Sequence, residues 1–510
     1  MRSFFLLLFL LTANGLFAEN PDITVSDARK ILFAKGTDSL KQADALGALH
    51  TWAQRGDIEG QYWYAWMRHY GKGDSPIDYQ ESFRYFTLTA EKDLATEKHK
   101  QVVIWAIHWV GLYHGNGWGI PKDPEKCLFY LKKAADTGCA EAMYLFASYC
   151  TAGNLIPKNF VLAKEYYERA AEKGYLQGIH GLAQCYRFAW GVKRNLKKAF
   201  ELYLEAADKG YAPSQYEVAM ASFFERGTRR DKDLEFKYFS LAAEQGHVNA
   251  TYRLGNSYYF GFGTPQDFKT ALKYFYRAAE KGSPDAMMQI GFCHTRGFGV
   301  KQDYAEALKW YEKAAAKNCY GAYLQLARAY FDGKGVPVDY QKSFDYYMKM
   351  ERTSPNKWIG AGEIAVFYER GLVVKQDFEK AFQYYDRGAD NWEKLAAGIY
   401  LLTGRGTIKN PKRALQKFED TVKYGKSPAG AFLAGSMYYT GKEVEKNEKK
   451  ALEYLLFSAN AGYVPAMKLL SKAYRKGING QKDEAKAHNW EQKALTAPKT
   501  NRDFIGSPHL

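Results

Sequence analysis

The residues best able to do chemistry in this chain are ten histidines and six cysteines, and neither set is spaced for it. His108 and His114 stand six apart on one stretch, so they do not share a helical face and cannot together hold a metal ion. His180, His247 and His294 are scattered further along. There is no His-Glu-x-x-His, no paired cysteine motif with zinc spacing, no Walker-type loop and no Gly-x-Ser-x-Gly. The many Gly-x-Gly runs follow a helical rather than a strand pattern, which makes them helix stops and not dinucleotide loops. Aspartates and glutamates are spread as caps and helix-surface charges. No catalytic residue, cofactor or metal is expected, and the chain reads as non-enzymatic.

These residues sit in a repeat. The pairs Ala134-Ala135, Ala170-Ala171, Ala206-Ala207, Ala242-Ala243, Ala278-Ala279 and Ala314-Ala315 recur every 36 residues. A fixed period of this length signals stacked supersecondary units. Counting from the second alanine, offset 7 is small (Ala142, Gly178, Ser214, Ala250, Ala286, Ala322) and offset 11 is large and apolar (Phe146, Leu182, Val218, Leu254, Ile290, Leu326). Offset 12 is small again. That spacing predicts the buried stripe of an amphipathic helix whose backbone can approach a neighbour closely. Glycine pairs such as Gly261/Gly263, Gly297/Gly299 and Gly333/Gly335 predict its end. Asn159, Asn195, Asp267, Asp303, Asp339 and Asp377 predict the N-caps of a second helix. In that helix a small residue lies eight before the reference alanine. An aromatic lies five before it (Tyr130, Tyr166, Tyr238, Tyr274, Trp310), often followed at once by another, as in Tyr167, Phe275, Tyr311, Tyr347 and Tyr385.

The combined pattern runs from Ala286 through Gly299-Val300 and Asp303-Tyr304 to Ala315. It resembles the Sel-1-like repeat, a cousin of the tetratricopeptide repeat, over almost the whole of residues 27–495. The resemblance implies an all-α, α/α superhelical solenoid of about 12–13 helical hairpins that acts as an adaptor or scaffold, often exported by bacteria, with no universal catalytic residues. Cysteine-rich relatives carry a bridge in each repeat, and some have been linked to β-lactam binding and hydrolysis. This chain departs from them. Cys139 and Cys319 share one repeat position, and Cys185 and Cys293 share another, several units apart. Cys139 and Cys150 lie about three turns apart on one helix, beyond disulfide reach. Small buried thiols are expected, and β-lactam hydrolysis is the weakest of the functional readings.

Residues 1–18 read as a secretory signal peptide, with Arg2 ahead of a short apolar run. The cut follows Ala18 or Gly15. No later apolar run is long enough to span a membrane. Export to the periplasm or beyond is expected. So are a loose segment over 19–26, a flexible tail over 496–510, and a monomer. The formal charge is +16, and residues 405–493 hold 18 Lys/Arg against 9 Asp/Glu. That region is either a lysine-rich solvated surface or a contact for an anionic surface or cell-wall polymer. Its lysines match no nucleic-acid module, and nucleic acid is not expected as a partner.

On the first helix, offsets 6, 10, 13 and 17 lie opposite the buried stripe and vary between repeats. They supply the candidate partner-binding positions Gln184, Phe188, Met220, Phe224, Arg253, Asn256, Phe260, Gln289, Phe292, Arg296, Gln325 and Arg328. Offset 17 holds Phe188, Phe224 and Phe260 in three successive units. Such a ladder either forms an apolar strip for a protein or peptide partner, or each ring tucks under the next unit's loop.

Overall fold

The computed structural model of the protein describes residues 23–34, 39–72, 76–94 and 97–498. Among them are 26 α-helices, two 3-10 turns and no strand. The expected leader, residues 1–18, and all but the start of the expected tail lie outside the described residues. Two ends differ from expectation. The first helix, Val25–Phe33, begins inside the segment read as loose, because the Thr24 hydroxyl accepts the Asp27 N–H and caps it. The last helix, Glu484–Thr496, runs one residue into the expected tail.

The second helix of each hairpin starts where Asp or Asn meets an extended backbone. The side chains of Asn159 and Asn195 accept the N–H three residues on, as do those of Asp267, Asp303, Asp339 and Asp377. Each cap satisfies a donor that the helix itself cannot, worth about 1 kcal/mol. The first helices rely less on caps. Cys139, Tyr175, Tyr211 and Cys319 begin them with no side-chain cap bond. Packing of the apolar stripe must therefore hold those ends.

The stripe is buried as the spacing predicts: Ala142, Ser214, Val218, Ala250, Ala286, Ile290, Ala322 and Leu326 are all fully enclosed. Small residues are needed there. A Cβ on Gly178 would lie 2.6 Å from the Cβ of Ala170 on the preceding helix. The deepest aromatic slot is the one four residues before the reference alanine, where Tyr167, Phe275, Tyr311, Tyr347 and Tyr385 are buried. The position five before, which dominates the sequence pattern, is buried at Tyr166 and Tyr238 and only partly so at Tyr384 and Tyr454. There a tyrosine hydroxyl donates to a carboxylate of the preceding repeat: Tyr166 to Asp136, Tyr238 to Asp208, Tyr384 to Glu351 and Tyr454 to Glu419. The second glycine of each pair has a separate purpose. At Gly263 φ is +69°, and a Cβ would fall 2.3 Å from the Lys232 carbonyl oxygen.

The chain forms two compact units, one ending at Gln266 and the other beginning at Asp267. Within each, consecutive helices pack against one another. The regular hairpin order is interrupted at residues 91–94 and the 3-10 turn Glu97–His99, and again at residues 354–360. All six cysteines are free; Cys127, Cys139, Cys150, Cys185 and Cys293 are buried and Cys319 is partly so. Burial pushes the Cys185 and Cys293 thiols up to about 12, which leaves them unreactive at neutral pH.

Candidate partner-binding site

In the first unit, Phe188, Phe224 and Phe260 are 49%, 46% and 52% exposed. Their ring contacts come from their own hairpins. Phe188 stacks on Trp190 at 5.1 Å, Phe260 stacks on Phe262 at 5.4 Å, and Phe224 meets the edge of Phe223. The rings are thus propped from one side and open on the other. Where other repeats end the first helix on a left-handed glycine such as Gly153 or Gly261, the two hairpins carrying Phe188 and Phe224 use Ala189 (φ 61°) and Glu225 (φ 53°). An L side chain in that region is strained.

Cations accompany these rings. Arg187 lies over Phe188 and Arg226 over Phe224. Arg230 and Arg253 flank Phe223. Arg187, Phe188, Arg194, Leu196 and Arg226 line a cleft of about 310 Å³. Arg187 also pairs with Glu217. Of these arginines Arg253 was a sequence candidate, whereas Arg187, Arg194, Arg226 and Arg230 were not. The signal for Arg194, Arg226 and Arg230 was the basic loop that follows Phe188 and Phe224: Lys193-Arg194, then Arg226 and Arg229-Arg230.

The other first-unit candidates are half-buried, and one is committed to the scaffold. Gln184 lies 3.2 Å from His180 Nε2, and His180 Nδ1 lies 2.9 Å from the Ser214 hydroxyl. Burial holds His180 down at about 4. The ring is therefore neutral, with Gln184 donating to Nε2 and Nδ1–H donating to Ser214. Met220, Arg253 and Asn256 are partly exposed on the same series of helices.

In the second unit the same face is charged. Arg296, Gln325 and Arg328 line a cleft of about 400 Å³ with Tyr304, Tyr311, Asp332 and Lys334. Its charges are mostly spoken for. Arg328 Nη2 donates to the buried Glu363 at 2.7 Å, and Lys334 pairs with Asp332 at 2.8 Å. Phe292 is half-buried with the Arg296 guanidinium 5.6 Å from its centroid, and Gln289 is half-buried. Beyond this cleft, Glu393 accepts the N–H groups of Gly362 and Asp390, and burial raises its carboxyl to about 7.

No group of three or more His, Cys, Asp or Glu among the described residues is arranged to hold a metal ion. His108 and His114 are both buried, and burial lowers both rings, His108 to about 4. No helix among the described residues is long and apolar enough to cross a membrane.

Comparison with known proteins matches this architecture. The Sel1 repeat matches residues 58–94, 106–139, 140–175, 177–211, 212–247, 248–283, 284–319, 321–349, 360–391, 394–416, 428–463 and 464–497. The chain therefore belongs to the Sel1 repeat family, as the residue pattern implied. It is a helical solenoid of a kind that typically mediates protein–protein interaction and is generally a non-catalytic scaffold. Among solved structures it is similar to c5321, a protective antigen present in uropathogenic Escherichia coli strains that displays an SLR fold. The two are 22% identical, with a TM-score of 0.67, over 89% of this chain and 94% of that one. A Sel1 repeat protein from Oxalobacter formigenes is 25% identical with a TM-score of 0.46, over 63% of this chain and 92% of that one. Among curated proteins, no sequence matches.

Proposed function

We propose that this chain is an exported, non-catalytic scaffold, acting as a monomer, that holds a protein or peptide partner on the helical face bearing Phe188, Phe224 and Phe260. One observation carries the reading: three aromatic rings one repeat apart, each about half exposed and each propped on residues of its own hairpin. A solvated repeat surface has no need of large apolar side chains at equivalent positions, whereas a ligand-facing strip does. Replacing all three by Ser is expected to abolish partner capture in a crosslinking pull-down from the native compartment while leaving the helical CD signal intact. Unfolding of the triple variant would show the rings to be structural instead. Export rests on residues 1–18, and mass spectrometry of the secreted chain should find a mature terminus after Gly15 or Ala18.

A second reading has its own support. On the helix Val464–Lys476, Lys468, Lys472 and Lys476 are exposed at i, i+4 and i+8, one face of the helix, with no carboxylate partner among the described residues. Such a stripe suits an anionic cell-wall polymer or an acidic surface. Retention on purified peptidoglycan that is lost when the three lysines become Glu would favour it; retention unchanged by the substitutions would remove it.

A further inference from the structure

The first-unit cleft is unusual in what its cations lack. Of its three guanidiniums, only Arg187 has a carboxylate partner among the described residues, Glu217. Arg226 lies 4.4 Å from the Phe224 centroid, and Arg194 is exposed; among the described residues no carboxylate pairs with either. Of the nearby acids, Glu217 is held by Arg187, and Glu225, beside Arg226 in the chain, is exposed and makes no ion pair among the described residues. Glu235 is buried against Arg230 and Ser222, and Asp231 caps the helix Lys232–Glu244. Unpaired arginine beside open phenylalanine sets two conditions on whatever fills the cleft. A purely apolar occupant would strip water from Arg194 and Arg226 without replacing it, which is costly. A purely anionic occupant would leave the rings of Phe188 and Phe224 in water. A carboxylate matches the guanidinium fork in geometry and charge. A volume of about 310 Å³ admits a few side chains rather than a broad surface.

We propose that this cleft binds an acidic and apolar peptide segment of the partner, with an Asp or Glu carboxylate on Arg194 and Arg226 and an apolar side chain a few residues away on Phe188 and Phe224. This rests on the scaffold reading and specifies its ligand.

The test is selection of a phage-displayed random 12-residue peptide library on the full chain, run in parallel on R194Q/R226Q and F188S/F224S/F260S. Wild-type selection should enrich peptides carrying Asp or Glu within four positions of Leu, Ile, Phe or Trp. A fluorescein-labelled synthetic copy should bind R194Q/R226Q about tenfold more weakly and lose that difference when its acids become Gln or Asn. Its affinity for the wild type should fall with added salt, because the contact is ionic. Apolar peptides without acid enrichment, bound through the phenylalanines, would overturn the inference and leave the scaffold reading standing. Enrichment that survives in the phenylalanine variant would overturn the scaffold reading as well, and so would no enrichment on the wild type. Vesicles containing an anionic phospholipid serve as the competing occupant. Their capture through Arg194 and Arg226, without peptide enrichment, would also overturn the inference.

Discussion

The two compact units place different chemistry at one repeat position. At offset 17 the first unit carries Phe188, Phe224 and Phe260, and the second carries Arg296 and then Asp332. Around the phenylalanines, Arg194 and Arg226 lack carboxylate partners among the described residues. Around the charged positions, Arg328 is locked to Glu363 and Lys334 to Asp332. The backbone lattice is the same in both. A repeat fold can therefore change what a surface recognises without altering how the hairpins stack, because the stripe that packs and the face that varies are on opposite sides of the same helix.

That contrast can be broken first at its arginines. Arg328→Ala should destabilise the protein by about 2 kcal/mol, since it leaves the mostly buried Glu363 carboxylate without the half-exposed arginine that pairs with it. Arg194→Ala in the first unit should stay within about 0.5 kcal/mol, as surface changes usually do. Urea denaturation of both variants measures the difference, and equal effects would mean that Arg194 has a partner after all.

Acid and base should then act on the units in opposite senses. His180 is held at about 4 against an ordinary value of 6.5. The stability its neutral ring provides is full above pH 6.5 and is lost as pH falls from there towards 4. Glu393 is raised to about 7 from 4.5. The stability its protonated form provides is full below pH 4.5 and is lost as pH rises through about 7. Thermal melts between pH 4.5 and 7.5 should show His180→Gln flattening the acid limb and Glu393→Gln flattening the other. Two variants that moved the same limb would erase the contrast.

The smallest expected effect is at the strained caps. Glu225→Gly or Ala189→Gly should stabilise the first unit by about 1 kcal/mol each, because glycine adopts positive φ freely. The matched control is Gly261, which already occupies the equivalent place. No gain in the urea midpoint would mean that the surroundings relieve the strain.

Much of this was legible in the residues. The 36-residue period, the small and large alternation at offsets 7, 11 and 12, and the Asp or Asn caps each report a local requirement of packing or hydrogen bonding, so spacing alone exposes them. The phenylalanine ladder was also visible as three equivalent positions, but its exposure was not: whether a ring is propped or covered depends on Trp190, Phe223 and Phe262, contacts no period encodes. The arginines escaped for another reason. Arg194 and Arg226 lie in the loops, outside the helical stripes, and only their meeting with Phe188 in one cleft makes them a set. Gln184 carries a contact that spacing does not reveal either. Its position faces the variable side, yet its amide is engaged with His180.

The four tyrosine hydroxyls that reach back to Asp136, Asp208, Glu351 and Glu419 each tie one repeat to the one before it and to nothing beyond. Pulled by its termini, either unit should come apart hairpin by hairpin from an end, each rupture releasing about 120 Å of contour as one 36-residue segment straightens. A sawtooth of evenly spaced force peaks, in place of a single cooperative yield, is the mechanical signature of a molecule whose bonds extend only to the next step.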